Sequence, residues 1–460
     1  MLAHLALPDL ETGSLAARLA ASARHRPDVG SVLAWLAKRR QARSLHIEQV
    51  PIEDLEGWAL REDGNLAHDT GRFFTVEGLR AWATAGPVRE WTQPILHQPD
   101  VAVLGILAKE IDGVLHFLMQ AKIEPGNVNS VQLSPTVQAT PSNYFRVHRG
   151  NAPRYIEQFI EARDNEILVD VLQSEQGAWF YRKRNRNIIL EVKGAVEAHE
   201  DFVWLTLGQL YELLGVPHTV NMDARTVLAC LPSPSTAPNA STEAPAHRLA
   251  QIRRWLINHK AANGMDATLV PLTAVSSWSQ EDGVIAHPEG RYFEIIGARV
   301  HAPSREVSQW CQPLLRPCST GLAAFVLRRF GGVLHVLARA DLRPGYRDVA
   351  EIGPTVQCQP DNHRHLPAHE RPLLLDLVLE GRLKVHVDVE QSEEGGRFRS
   401  ALTRYLIVEA GPDVELPIDE RLCWVSLAQL AQLVGTSYQL AIEARCLLLL
   451  LHAWLWEQRS

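Results

Sequence analysis

Trp91-Thr92-Gln93-Pro94 recurs as Trp310-Cys311-Gln312-Pro313, at an offset of 219 (310 minus 91). The same offset carries His68 onto His287 and Gly71-Arg72-Phe73-Phe74 onto Gly290-Arg291-Tyr292-Phe293. It carries Gly113-Val114-Leu115-His116 onto Gly332-Val333-Leu334-His335, Pro135-Thr136-Val137-Gln138 onto Pro354-Thr355-Val356-Gln357, and Asn143 onto Asn362. At 218, Gln173-Ser174-Glu175-Gln176-Gly177 meets Gln391-Ser392-Glu393-Glu394-Gly395; at 220, Trp58 meets Trp278 and Trp204-Leu205-Thr206-Leu207 meets Trp424-Val425-Ser426-Leu427. Matches in one order at a near-constant offset mark an internal duplication, and the period is far too long for a solenoid repeat. Residues 231–247, rich in Pro, Ser, Thr and Ala, read as a linker. The expected division is a first module over 1–230 with an N-terminal extension, a linker over 231–247, and a second module over 248–460.

Within each copy the pattern mixes strands with a few helices, which predicts an α+β module. Apolar runs at 104–108 and 114–119 flank Asp112-Gly113, a hairpin signal, and 325–327 and 333–337 repeat it around Gly331-Gly332. Residues 167–172 and 188–192 read as further strands. Thr206-x-x-Gln209 and Ser426-x-x-Gln429 are capping boxes that start helices.

Of 460 residues, 46% are hydrophobic and 22% charged, an ordinary globular mixture. The net charge of -7, from 46 basic and 53 acidic residues, argues against a nucleic-acid protein. The 6 cysteines include no C-x-x-C pair, so reduced thiols are expected rather than a disulfide or zinc framework. The first 20 residues lack the apolar core of a signal peptide, and the apolar run at 446–456 is too short to span a bilayer, so it reads as a buried helix. No P-loop, no G-x-G-x-x-G after a strand and no nucleophile elbow occurs. His363, His365 and His369 are dense, but the first copy has nothing like them and no H-E-x-x-H spacing supports a metal. The reading is therefore of no metal and no bound cofactor.

The copies differ in polarity around a shared Pro-Gly turn. The first has Lys122, Glu124, Asn127 and Gln132; the second has Asp341, Arg343, Tyr346 and Glu351 in their places. Either the first copy keeps a binding site that the second has lost, or both turns are simply solvated. Thr136 and Gln138 fall on one face of a short strand, lining a pocket or facing water. Arg182, Arg184 and Arg186 alternate likewise, and guanidinium suits a phosphate; the alternative is a solvated strand face. In the second copy only Arg404 remains of the three. Trp58, Trp91, Trp278 and Trp310 are either core or stacking platforms. His68, beside Arg72, has the right chemistry for an acid or base, while His116 and His335 sit in apolar runs and read as core.

Several long strings resemble the NDP-hexose 2,3-dehydratase family. They are Glu124-Pro125-Gly126-Asn127, Val131-Gln132-Leu133-Ser134-Pro135-Thr136-Val137-Gln138-Ala139-Thr140, Ser142-Asn143-Tyr144, Leu172-Gln173-Ser174-Glu175-Gln176-Gly177 and Arg182-Lys183-Arg184-Asn185-Arg186-Asn187. Residues 202–210, Asn221-Met222-Asp223-Ala224-Arg225 and Ser392-Glu393-Glu394-Gly395-Gly396-Arg397-Phe398 agree as well. The resemblance covers nearly the whole chain from about Ser31 and implies tandem duplicated Nudix-like modules without a Nudix box of glutamates. It implies loss of water across carbons 2 and 3 of an NDP-4-keto-6-deoxyhexose, usually dTDP-linked, in deoxysugar and antibiotic biosynthesis. It also implies a cytoplasmic homodimer and a separate NADPH-dependent 3-ketoreductase downstream, with no nucleic-acid or membrane partner.

For such a reaction Glu124, Lys122, Tyr144 and His68 are the candidate catalytic residues. Candidate substrate contacts are Trp58, Arg72, Trp91, Asn127, Gln132, Thr136, Gln138, Asn143, Gln173, Ser174, Glu175, Arg182, Arg184 and Arg186. A second, vestigial site would hold Trp278, Arg291, Trp310, Gln357, Asn362 and Ser392. A non-catalytic nucleotide-sugar binder and a Nudix-type hydrolase are the competing readings.

Overall fold

The computed structural model describes residues 14–84, 88–140, 153–232, 244–262, 264–303 and 307–458. Each copy builds a seven-stranded sheet. In the first, Ala102–Ile111 and Val114–Ile123 form the expected hairpin across Asp112-Gly113, both residues at positive φ. Arg184–Glu191 pairs parallel to Ala102–Ile111, Ile167–Ser174 covers the outer edge, and Phe202–Thr206 lies beside Val114–Ile123. The second copy repeats the order with Lys384–Ser392, Leu402–Glu409, Gly321–Phe330, Val333–Leu342 and Leu422–Ser426. Both capping boxes form: the hydroxyls of Thr206 and Ser426 accept from the N–H groups of Gln209 and Gln429 and start helices Leu207–Leu214 and Leu427–Val434.

The two five-stranded sheets are shared between the copies. His46–Val50 of the first copy pairs with Phe293–His301 of the second, and Met265–Val270 of the second pairs with Thr75–Ala83 of the first. This exchange leaves neither copy with a complete smaller sheet of its own.

Apolar packing follows the same logic. One core runs from Leu19, Phe117 and Leu205 to Phe325, Leu430 and Leu447, and the apolar helix Ile442–Glu457 is buried in it, as its sequence predicts. Leu231, read as the start of an exposed linker, belongs to this core at 4% exposure; residues 233–243 lie outside the described set. His335 is fully buried and His116 half-buried.

Arg225 and Arg445, both fully buried, donate across the junction to the carbonyls of Ser392 and Ser174 at 2.8 and 2.7 Å. The Pro-Gly turns are locked in the same reciprocal way. Gly126 N–H donates to Gly395 O and Gly345 N–H to Gly177 O, at 2.7 and 2.8 Å. A Cβ on Gly126 would stand 1.7 Å from Phe398 O, and on Gly345 1.9 Å from Phe180 O, so only glycine allows the contact.

Candidate active site

The strand Val114–Ile123 runs straight into the first Pro-Gly turn and carries Lys122 and Glu124 to the wall of a cavity of about 1560 Å³. Drug-sized pockets fall at roughly 300–1,000 Å³, so this one accommodates a larger ligand. Glu124 is 3% exposed; its Oε1 accepts from Gln138 Nε2 at 2.9 Å and lies 3.4 Å from Lys122 Nζ, while its buried Oε2 has no partner among the described residues. Asp223 and Glu394 complete a group whose carboxylate oxygens lie within 4.8 Å of one another.

Burial dominates the electrostatics. It holds the Asp223 carboxyl well above the usual range, with the charges of Glu175, Glu394 and Glu124 adding to the effect. Burial and then the Glu124 charge push Glu394 up to about 7, against the pull of Arg397. Glu175 is raised by burial, and Lys183 is brought down to about 8 by burial despite neighbouring Glu175. Such opposed shifts in a cleft are the mark of an acid–base site. The three-carboxylate group is the type of donor set a hard cation takes, but the Lys122 ammonium already supplies positive charge to it.

Several expected contacts line this cavity: Lys122, Glu124, Thr136, Gln138, Glu175, Trp58, His68 and Arg72. Thr136 also has a structural bond, donating to Leu118 O at 2.5 Å and accepting from Leu107 N–H. Trp58 donates from Nε1 to Cys311 O at 2.8 Å, and the ring of His68 packs edge-on against it. Asn143 and Tyr144 lie outside the described residues.

Other expected contacts are engaged elsewhere. Gln132 donates to Ser392 Oγ, Gln173 to Val434 O, and Ser174 Oγ to Glu351, all buried bonds that join the copies. Asn127 is buried in the turn and donates to Ser130 O. The arginine expectation fails on geometry: Arg182 takes φ 51° ahead of the strand, and Arg186 makes a two-pronged pair with Asp170 on the exposed face. Arg184 does not line the cavity; Lys183 and Asn185, one residue out of phase, do. A strand's alternation was legible, but which face turns inward depends on the sheet it joins. Among the described residues Lys38, Arg72 and Arg154 line the cavity, are exposed and form no ion pair, whereas Arg39 and Arg43 are paired with Glu200 and Asp201.

The tryptophans exchange roles. Trp91 packs beside Leu79, Ala81 and Ile95, away from this cavity. Trp310, expected at the second site, lines the first together with Gln312, Glu394 and Arg397 of its own copy. Sequence reading missed Asp223, Glu394 and Arg397, although all three lie inside the family-like strings; a duplicated chain invites the wrong assumption that each copy builds its own site.

The second copy's equivalent position is tied up. Asp341, 1% exposed, accepts from Arg339, Arg343 and Tyr346 at 2.7, 3.0 and 3.0 Å. Burial alone would raise it, but Arg343 and Arg339 outweigh that and hold it below the usual carboxylate range. The Tyr346 ring fills the space beside Gly177, where a Cβ would come within 2.4 Å of it. Of the other residues expected at a second site, Arg291 meets His365 and Glu289, Trp278 packs on Phe293, Asn362 bonds Gln359 and the Tyr292 N–H, Gln357 Oε1 is buried without a partner among the described residues, and Ser392 accepts from Gln132.

A large, partly open cleft with apposed carboxyl and ammonium groups, rimmed by cations, defines an enzyme built for an anionic ligand. The family model for NDP-hexose 2,3-dehydratase matches residues 29–231 and again 249–451, so the chain belongs to that family. Three relatives carry the name dTDP-4-dehydro-6-deoxy-alpha-D-glucopyranose 2,3-dehydratase. The protein of Amycolatopsis orientalis is 45% identical over 429 residues, covering 92% of this chain and 90% of its own length. That of Saccharopolyspora spinosa is 44% identical over 441 residues (92% and 90%), and that of Streptomyces violaceoruber 45% over 430 (92% and 96%).

Proposed function

We propose that the protein is a sugar nucleotide 2,3-dehydratase, a carbon–oxygen lyase that removes water across carbons 2 and 3 of dTDP-4-keto-6-deoxy-D-glucose in deoxysugar biosynthesis. The observation that carries this is the buried carboxylate of Glu124, with one oxygen unpartnered and Lys122 beside it, facing a cavity in a chain related over 92% of its length to named 2,3-dehydratases.

The chemistry needs no electron carrier. The carbon 4 ketone acidifies the hydrogen on carbon 3, and the carbon 2 hydroxyl is then β to the carbonyl and leaves. The enol relaxes to a 3,4-diketo-2,6-dideoxyhexose. Glu124 is the base, Lys122 the cation that stabilises oxyanion charge, and Gln138 the residue that orients Glu124. Trp310, half-buried at the cavity wall, suits stacking on the base or sugar, Trp58 backs the same wall from the core, and Lys38, Arg72 and Arg154, exposed along the cavity, suit the diphosphate.

Each copy is a Nudix-like module under this reading, and the modules divide in sequence at 231–247. No described helix is long and apolar enough to cross a membrane. A homodimer, cytoplasmic residence and an NADPH-dependent 3-ketoreductase to consume the labile diketone complete the proposal.

The test is incubation with dTDP-4-keto-6-deoxyglucose, a 3-ketoreductase and NADPH. A 2-deoxy nucleotide sugar supports the reading. Unchanged substrate would indicate a binder, and free dTMP a hydrolase.

A further inference from the structure

We propose that Glu394, supplied by the second copy, is the acid that protonates the departing carbon 2 hydroxyl, working opposite Glu124 as base. This rests on the dehydratase reading above and adds a catalytic residue to it. The loop that carries Glu394 enters the first copy's cavity, where carboxylate oxygens of Glu394, Glu124 and Asp223 lie within 4.8 Å of one another. The loop is held firmly. Gly396 N–H donates to Glu394 Oε1 at 2.8 Å, and Gln312 Nε2 and Arg397 Nη1 donate to Gly396 O at 2.8 and 2.9 Å. Glu394 Oε2 is buried and has no partner among the described residues, as is Glu124 Oε2. The reacting C–H and C–OH are on adjacent carbons, so two carboxyl oxygens less than about 5 Å apart can each come within hydrogen-bond reach of one of them.

The aligned residue on the other loop, Gln176 (394 minus 218), cannot hold the proton; its amide donates to Glu393 Oε2 at 3.0 Å. Only the loop that reaches the open cavity carries an acid there. The groups around Glu394 are Glu124, Glu175 and Asp223, which favour its protonated form, and Arg397 and Lys183, which oppose them.

One proton shared by Glu124 and Glu394 balances the whole sequence. Glu124 carboxylate takes the carbon 3 proton, the C–H pair forms the carbon 2–carbon 3 double bond, the C–O bond breaks, and Glu394 gives its proton to hydroxide as water leaves. The enol then gives its O–H proton to Glu394 carboxylate while Glu124 returns a proton to carbon 2. Both groups end as they began.

The test pairs Glu394→Gln with two substrates: the 4-keto nucleotide sugar and its analogue with fluorine in place of the carbon 2 hydroxyl. Fluoride leaves without an acid. The variant should lose roughly 10²–10⁴-fold in kcat on the hydroxyl substrate yet stay within about fivefold of wild type for fluoride release, while Glu124→Gln is slow on both. An equal loss on both substrates, or none on the hydroxyl substrate, overturns the assignment. The fluoride reaction also reports that the variant is folded. If the wild type itself makes no 2-deoxy product, it is the dehydratase reading that fails.

Discussion

The turn at Lys122–Asn127 and its equivalent at Asp341–Tyr346 share a backbone and differ in chemistry. In both, a Pro-Gly pair is pressed against the other copy's loop and a glycine N–H donates to a glycine carbonyl there. In the first, a carboxylate is left with an unpartnered oxygen facing a cavity. In the second, a carboxylate is satisfied three times over by Arg339, Arg343 and Tyr346. What separates the two turns is access: the unpartnered oxygen of Glu124 belongs to a residue that lines the cavity, whereas Glu351 and Glu443, whose buried oxygens also lack a partner among the described residues, do not line it. The second copy supplies Trp310, Gln312, Glu394 and Arg397 to the cavity that Lys122 and Glu124 line, and on the proposed reading it serves as a frame for the first.

The comparison breaks most readily at aligned positions. Lys122→Met should lower kcat roughly 10²–10³-fold, the range for removing one oxyanion-stabilising donor. Asp341→Asn should leave kcat within about twofold but cost roughly 2–3 kcal/mol of stability, since it strips the shared partner from two partly buried guanidiniums. Steady-state kinetics and urea melts separate the two effects, and a kinetic loss in Asp341→Asn would show that the second cluster takes part in chemistry.

Trp310→Ala should raise KM about tenfold, and Trp91→Ala should change thermal stability but not KM. The reverse pattern would return the site to a within-copy arrangement. On the strand at Arg184–Glu191, Lys183→Gln should impair turnover by about tenfold, while Arg186→Gln, whose ion pair with Asp170 is exposed, should cost no more than about 1 kcal/mol and leave kinetics alone. Chelation by EDTA should leave dehydration intact; complete, reversible loss of activity would require a cation in the carboxylate group.

The smallest effect concerns pH. Burial pushes Glu351 and Glu394 up to about 7 and Glu443 up to about 8, from roughly 4.3 in an unfolded chain. The folded state thus binds more protons than the unfolded one between those limits, so these groups' contribution to stability is full below about pH 4 and is lost as pH rises through 7 to 8. Burial lowers His452 to about 3 and also lowers His335, His116, His218 and His363, so these groups add stability as pH rises towards about 6.5. Above that, from about pH 6.5 to 8, the melting temperature should fall, and less steeply in Glu394→Gln. A flat or rising profile in the parent protein would contradict the burial argument.

Much of this was legible in the sequence. The offset of 219, the hairpin at Asp112-Gly113, both capping boxes and the buried terminal helix were local or periodic signals, and such signals survive folding. The charge reversal at Glu124 and Arg343 likewise distinguished the two turns. What the sequence hid was long-range. The exchange of His46–Val50 and Met265–Val270 between the copies has no local signature, and the first of these pairs with the sheet that carries Trp310; the packing of the Gly395 loop on the first Pro-Gly turn, equally silent in sequence, brings in Glu394. Of the arginines at 182, 184 and 186, the first precedes the strand and the other two lie out of phase with the cavity, the solvated alternative, because face choice is set by the neighbouring strand. Gln132, Gln173, Ser174 and Ser392 recur or lie in family-like strings for a structural reason, the bonding of one copy to the other.

The central claim is that chemistry belongs to the first turn and not to its counterpart. The most direct measurement is the reductase-coupled rate of Glu124→Gln beside Arg343→Gln, with dTDP-4-keto-6-deoxyglucose as substrate. The account predicts a roughly 10²–10⁴-fold loss of kcat in the first and a change within about twofold in the second. Equal rates in the two variants, or a loss confined to Arg343→Gln, would contradict it.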